Sequence, residues 1–218
     1  MRKILIGLIL LSSLTAFSQD IEFIGGVNKN DFFDFQDEGQ FSSSYNSGYG
    51  YAIRFGIENI IVDSVPFRFT LGFDKYGGEL TTSDGGLGSR YTTDARIDKS
   101  VFSLGIFPLN FKIINRIDLN FGFEFSMLIS EKYSGTSSGW IMGQPWSYEL
   151  NEEYESFSSK TNFGLRGRIA YDFNLTDKLA ISPQYSYYFG LSNEFDVFPK
   201  ATKSMRHYFS IGIQRKIK

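Results

Sequence analysis

Segments in which large apolar residues alternate with small or polar ones recur eight times along the chain, and no other feature restricts its fold as strongly. The clearest is IDLNFGFEFSMLI, residues 117–129. Ile117, Leu119, Phe121, Phe123, Phe125, Met127 and Ile129 alternate there with Asp118, Asn120, Gly122, Glu124, Ser126 and Leu128. A period of two means a β-strand, because successive side chains point to opposite faces. Comparable segments cover 20–28, 48–59, 67–76, 97–113, 161–173, 179–190 and 205–217. Most reach or exceed the roughly 9–11 residues that a tilted strand needs to cross a bilayer. Gly25-Gly26 blurs the phase of the first. The phase of 97–113 slips at Phe107-Pro108, where a bulge is expected because proline inside a strand marks an edge or an irregularity.

The links between segments alternate in length. Polar stretches at 29–47, 77–96, 130–160 and 191–204 are long, whereas IIVDSVP, INR and NLTDK are short. Long loops at one end and short turns at the other describe an up-and-down barrel of the outer-membrane kind. The two strand faces sharpen this. One is apolar and aromatic, with Tyr49, Tyr51, Tyr171, Phe173, Tyr185 and Tyr187 suited to interfacial girdles. The other mixes ions with many glycines, such as Gly48, Gly50, Gly56, Gly72, Gly105, Gly122, Gly164 and Gly212. A water-facing surface has no need of small residues, but the narrow interior of an eight-stranded barrel does. The expected fold is therefore all-β: an eight-stranded antiparallel up-and-down transmembrane β-barrel. The runner-up is a soluble barrel or sandwich with its phenylalanines turned inward.

The N-terminus fits export. Arg2 and Lys3 precede the apolar run ILIGLILL, and Ala16-Phe17-Ser18 places small residues at the −3 and −1 positions of a cut before Gln19. Residues 1–18 are expected to be a cleaved signal peptide, with 19–218 forming the barrel domain. Losing Arg2 and Lys3 takes the net charge from −2 to −4. Cysteine is absent, which excludes disulfides and thiolate metal sites. Lys and Arg are scattered rather than clustered, so nucleic acid is not an expected partner.

Nine ionisable residues share the small-residue face: Arg54, Glu58, Arg68, Asp74, Asp118, Glu124, Arg166, Arg168 and Asp172. Unpaired charges in a narrow lumen are costly, so these are expected to pair as a polar plug. The alternative is a narrow transport pore lined by the same charges. His207 is the sole histidine and shares the apolar face of Phe209 and Ile211, which suits an interfacial position rather than a catalytic or metal role. Asp31, Asp34, Asp37 and Glu38 make one long loop acidic, and Glu149, Glu152, Glu153 and Glu155 another. Their spacing matches no calcium loop, and a solvated acidic face is expected. Trp140, Met142 and Trp146 in the long stretch 130–160 are candidates for contact with a partner, since tryptophan is enriched at interface hot spots. No catalytic residue set, cofactor motif or metal-ligand pattern is evident, so no enzymatic activity is expected.

Three short features resemble a known family. Ser18-Gln19, Gly26-Val27-Asn28 and Ile106-Phe107-Pro108-Leu109-Asn110-Phe111-Lys112 are similar to stretches of the small outer-membrane barrels of the Bacteroidota, the group often named for PorT. The chain departs from such barrels at Gln214-Arg215-Lys216-Ile217-Lys218, which ends on lysine rather than an aromatic residue. The resemblance implies an outer-membrane barrel without shared enzymatic activity, in contact with outer-membrane lipid and lipopolysaccharide and with a second envelope protein as a further partner. A structural or protein-interaction role in the envelope is expected, and a secretion-machinery accessory is the other role the group suggests.

Overall fold

The computed structural model describes residues 20–33, 42–62, 65–86, 88–114, 116–150, 158–195 and 202–216. The expected signal, 1–18, lies outside them, as do Asp34, Asp37, Glu38, Glu152, Glu153 and Glu155. The described residues form ten strands: β1 (Asp20–Phe33), β2 (Ser42–Val62), β3 (Val65–Gly86), β4 (Ser89–Ile113), β5 (Ile117–Ile141), β6 (Gln144–Leu150), β7 (Thr161–Tyr171), β8 (Phe173–Thr176), β9 (Leu179–Gly190) and β10 (Lys203–Arg215). All pair antiparallel, in the order β10-β1-β2-β3-β4-β5-β7-β9. The pairing of β10 with β9, from Met205–Phe189 to Arg215–Leu179, joins the two ends of that order. The chain is thus an eight-stranded up-and-down barrel whose backbone groups are satisfied around the ring. The short β8 pairs beside β9, and β6 folds back on β5.

The distribution of side chains is inverted relative to a soluble protein. Along β5, Phe121, Phe123, Phe125 and Met127 are about half exposed, while Asp118, Asn120, Glu124 and Ser126 are buried. Among the largest fully enclosed side chains are Arg68, Arg206, Lys99, Glu22, Glu124 and Glu194. Water-soluble folds bury such groups rarely. A barrel in lipid does so by construction, because alternate residues face the hydrocarbon and the lumen.

The strands run further than the alternation indicates. The stretches 77–96 and 130–160 read as loops, yet β3 continues to Gly86, β4 begins at Ser89, and β5 and β6 occupy 117–141 and 144–150. The outward positions of these extensions are mostly polar or small, as with Lys132, Ser134, Thr136 and Ser138 on β5, so the period-two contrast fades while the hydrogen-bonded ladder continues. Ile141 pairs with Gln144 across a two-residue turn in which Met142 (φ 50°) and Gly143 (φ 83°) are both left-handed. That is a type I′ turn, whose twist matches the flanking strands.

At Phe107-Pro108 the β4–β5 register shifts between Ile106 and Leu109. Phe107 keeps the inward parity of Ser103 and Gly105 and is 1% exposed, and the bulge after it returns Leu109 and Phe111 to the outer face. Glycine is needed opposite, where a Cβ on Gly122 would fall 2.0 Å from the Ile106 carbonyl oxygen, and beside it on β4, where one on Gly105 would fall 2.4 Å from Thr70 Oγ1 and 2.8 Å from the Phe107 ring.

Beyond the apolar band, on the side of the long connections, the barrel holds an aromatic cap. Phe32, Tyr76, Leu80, Ala95, Ile97, Val101, Tyr133 and Phe195 pack there as one cluster.

Candidate functional site

The lumen ions form tiers, each fixed by strand register. In the tier toward the short turns, Arg68 bonds Glu22 and pairs with Glu58. Arg168 reaches across the barrel from β7 to both Glu22 oxygens on β1, at 3.1 Å each. It also donates to Asn120 Oδ1 (2.6 Å) and to Gln184. Gln214 Nε2 donates to Glu58 at 3.0 Å. At the mouth below, Lys112 lies 3.7 Å from Asp118, and Ser182 donates to Asp172 at 2.6 Å.

The middle tier is built on Glu124. Arg54 of β2 spans the lumen to it at 2.9 Å and grips Asp74 through both carboxylate oxygens at 2.9 and 2.6 Å. Arg166 bonds the same Glu124 oxygen and donates to Ser186 at 2.8 Å. Both guanidinium groups lie over the Tyr208 ring, at 4.9 and 4.2 Å. Arg206 is fully enclosed between the rings of Tyr188 (3.9 Å) and Tyr76 (5.0 Å), with Asp74 and Glu124 at 3.9 and 4.0 Å. Planar guanidinium groups suit this mixture of bidentate pairing and ring stacking.

The outer tier lies at the level of the cap. Lys99 donates to Glu194 at 3.1 Å, approaches Glu131 at 3.9 Å and sits 4.0 Å over the Phe195 ring. Tyr76 donates its hydroxyl proton to Glu194 at 2.9 Å. Glu131 accepts from the Ser158 N–H at 3.2 Å, and Ser158 bridges Phe195. Segments 158–159 and 191–195 are thereby tied across the outer opening. Burial alone would push the Glu194 carboxyl up; the Lys99 and Arg206 cations outweigh it and, with the Tyr76 and Lys99 hydrogen bonds, hold it below its ordinary value.

All nine lumen residues expected from the alternation therefore lie on inward positions, and the network includes others as well. Glu22 falls in the segment whose phase Gly25-Gly26 blurs. Lys99 sits between Ile97 and Val101, which are inward yet apolar because they belong to the cap. Arg206 has the parity of Tyr208 and Gly212, a signal that was available. Glu194 lies in a link between strands, where no periodicity exists.

Trp140, Met142 and Trp146 do not sit on a loop. Trp140 is in β5, Met142 in the tight turn and Trp146 in β6, all on the hairpin that projects past the cap. Trp146 stacks on Tyr148 with centroids 5.5 Å apart, whereas Trp140 and Met142 are 42% and 89% exposed. His207 is on the exterior, and its Nδ1 lies 2.7 Å from the Tyr185 hydroxyl. Glu149 is on β6. Among the described residues no three His, Cys, Asp or Glu side chains converge as a metal site. Chemically, the arrangement can fill and brace a lumen and present an aromatic tip.

No family model and no curated protein matches the chain. Solved structures with some likeness include Neisserial surface protein A, at 16% identity over 92% of this chain and 98% of that one, with a TM-score of 0.43. Others are the outer membrane protein OprG from Pseudomonas aeruginosa (12%, 92% and 97%, 0.45) and the attachment invasion locus protein Ail of Yersinia pestis (11%, 91% and 99%, 0.37). The barrel itself follows from the strand pairings of this chain.

Proposed function

We propose that the chain is an integral outer-membrane barrel with a closed lumen and a structural or protein-interaction role in the envelope, without enzymatic activity. The observation that carries this reading is the filled interior: arginines from β2, β3, β7 and β10 meet carboxylates from β1, β2, β3 and β5 across the barrel axis. A conducting pathway would need those pairs to part, and separating one buried pair costs about 3–5 kcal/mol. The surface left for a partner is the projecting β5–β6 hairpin with Trp140, Met142 and Tyr148 exposed.

Two accompanying readings belong with this. Residues 1–18 are removed on export, so the intact mass of protein taken from membranes should begin at Gln19. The stretches 106–112 and 26–28 ally the chain with the PorT-like barrels of the Bacteroidota.

The test is single-channel recording on purified, refolded protein in a planar bilayer. No steady current is expected at any holding potential the bilayer tolerates. A stable open level would replace the plug with the pore reading. Recovery of the native protein in a soluble fraction without detergent would overturn the membrane assignment.

A further inference from the structure

The wall formed by β9, β10 and β1 carries a gap in its apolar exterior. Its outward residues fall in register rows: Lys29, His207 and Tyr187; then Val27, Phe209 and Tyr185; then Gly25, Ile211 and Pro183; then Phe23, Ile213 and Ile181. Three of these rows are bulky throughout. The third has glycine and proline at its ends, and a notch of about 660 Å³ opens there, floored by Gly25 and Pro183 and walled by Tyr171, Ile117, Phe209 and Ile211. A Cβ on Gly25 would meet nothing within 4 Å, so no neighbour within the chain demands glycine at this place.

Above the notch, toward the long connections, stand two nitrogen bases side by side. Lys29 is exposed and, among the described residues, its ammonium makes no ion pair or hydrogen bond. Its register partner is His207. The Tyr185 hydroxyl lies 2.7 Å from Nδ1, an arrangement that, in the tautomer where the hydroxyl donates, leaves the Nε2–H as a donor. Asp31, one row further up, has its carboxylate engaged by the Phe32 N–H at 2.9 Å. Two rows separate the bases from the notch, roughly 13 Å along a strand and about 10 Å along the membrane normal at a tilt near 40°. That is the depth of an acyl chain hanging from a headgroup at the interface.

We propose that this wall binds a phosphorylated acyl lipid of the outer leaflet, its phosphate on Lys29 and His207 and one acyl chain in the notch at Gly25. The apolar lining takes the chain, and the exposed Lys29 ammonium, with His207 donating from Nε2, matches a phosphate oxygen pair by charge and donor count. The inference rests on the outer-membrane reading and adds to it a lipid and its place.

The experiment uses the full mature chain in nanodiscs holding equal amounts of lipid A, dephosphorylated lipid A and phosphatidylglycerol. After extraction into dodecyl maltoside, the retained lipid is read by native mass spectrometry. Lipid A should be retained about tenfold over its dephosphorylated form and over phosphatidylglycerol, a difference equivalent to about 1.4 kcal/mol. The pair Lys29→Gln and His207→Gln should abolish that preference. Gly25→Leu, which fills the notch from outside, should lower retention of lipid A about as far while the folded band in unheated electrophoresis persists. Equal retention of the dephosphorylated lipid overturns the phosphate contact. Equal retention of phosphatidylglycerol overturns the outer-leaflet lipid. Unchanged retention in either variant overturns the site. None of these outcomes alters recovery in the membrane fraction, which tests the barrel reading separately.

Discussion

Glu124 is fully enclosed and serves two arginines directly, Arg54 and Arg166, with Arg206 at 4.0 Å. Its removal leaves more than one buried cation short of its counter-charge. Glu124→Gln should therefore lower unfolding free energy by about 3–5 kcal/mol, the range for breaking a buried pair. Asp118→Asn, whose partner Lys112 lies 3.7 Å away and is half exposed, should cost less than about 1 kcal/mol. Urea titrations in lipid micelles, followed by tryptophan fluorescence, measure both. Glu194 offers a pH test. Its carboxyl is held below the ordinary value, with burial opposed and outweighed by Lys99 and Arg206. The stability it contributes is therefore fully present above the unfolded carboxylate value, about 4.3, and is lost as pH falls through the lower folded value. Carboxyl NMR should show Glu194 titrating below pH 4.3, and Lys99→Met should move the midpoint upward.

At the scale of strands, the glycines divide into two kinds that look identical in sequence. Gly122 sits on β5 opposite the β4 bulge, where a Cβ would collide with the Ile106 carbonyl. Gly25 on β1 faces outward into open space. Gly122→Ala should force β4 to shift and cost more than about 1 kcal/mol, whereas Gly25→Ala should be neutral within about 0.5 kcal/mol. A pair of urea midpoints checks this, and equal effects at the two positions would contradict the register at the bulge. The same bulge explains how Leu109 and Phe111 face outward although they share the parity of the enclosed Phe107.

At the scale of the molecule, two bodies share one continuous sheet: a ring with a filled lumen and an outer projection made from the ends of β3, β4, β5 and β6. Gly135 and Leu150 are register partners, so residues 136–149 can be replaced by a two-residue link that closes between them. The shortened protein should still migrate as a folded, heat-modifiable barrel, with a urea midpoint close to that of the full chain. Loss of the folded form would mean that the hairpin supports the ring rather than extending from it. The lumen network predicts the opposite sensitivity, because its pairs join strands on opposite sides of the barrel: Arg54 with Glu124, and Arg168 with Glu22.

The sequence by itself determined the barrel, its strand number and which face of each strand turns inward, because a period of two and an alternation of link lengths survive in any linear reading. It also exposed Arg54, Arg68 and Glu124, since each lies between large apolar neighbours in a clean alternating run, and Arg166 and Arg168, which keep the parity of Asn162 and Gly164 in theirs. Where the outward positions turn polar, as at Lys132, Ser134, Thr136 and Ser138, the apolar alternation disappears and the strands were invisible. The tertiary structure alone decided the partners: that Glu22 answers Arg168 from 146 positions away, that Glu194 closes the outer end from a link between strands, and that Gly25 leaves a notch while Gly122 admits a bulge. Pairing across a lumen depends on ring closure and register, and these are properties of neighbours in space that no local pattern of residues records.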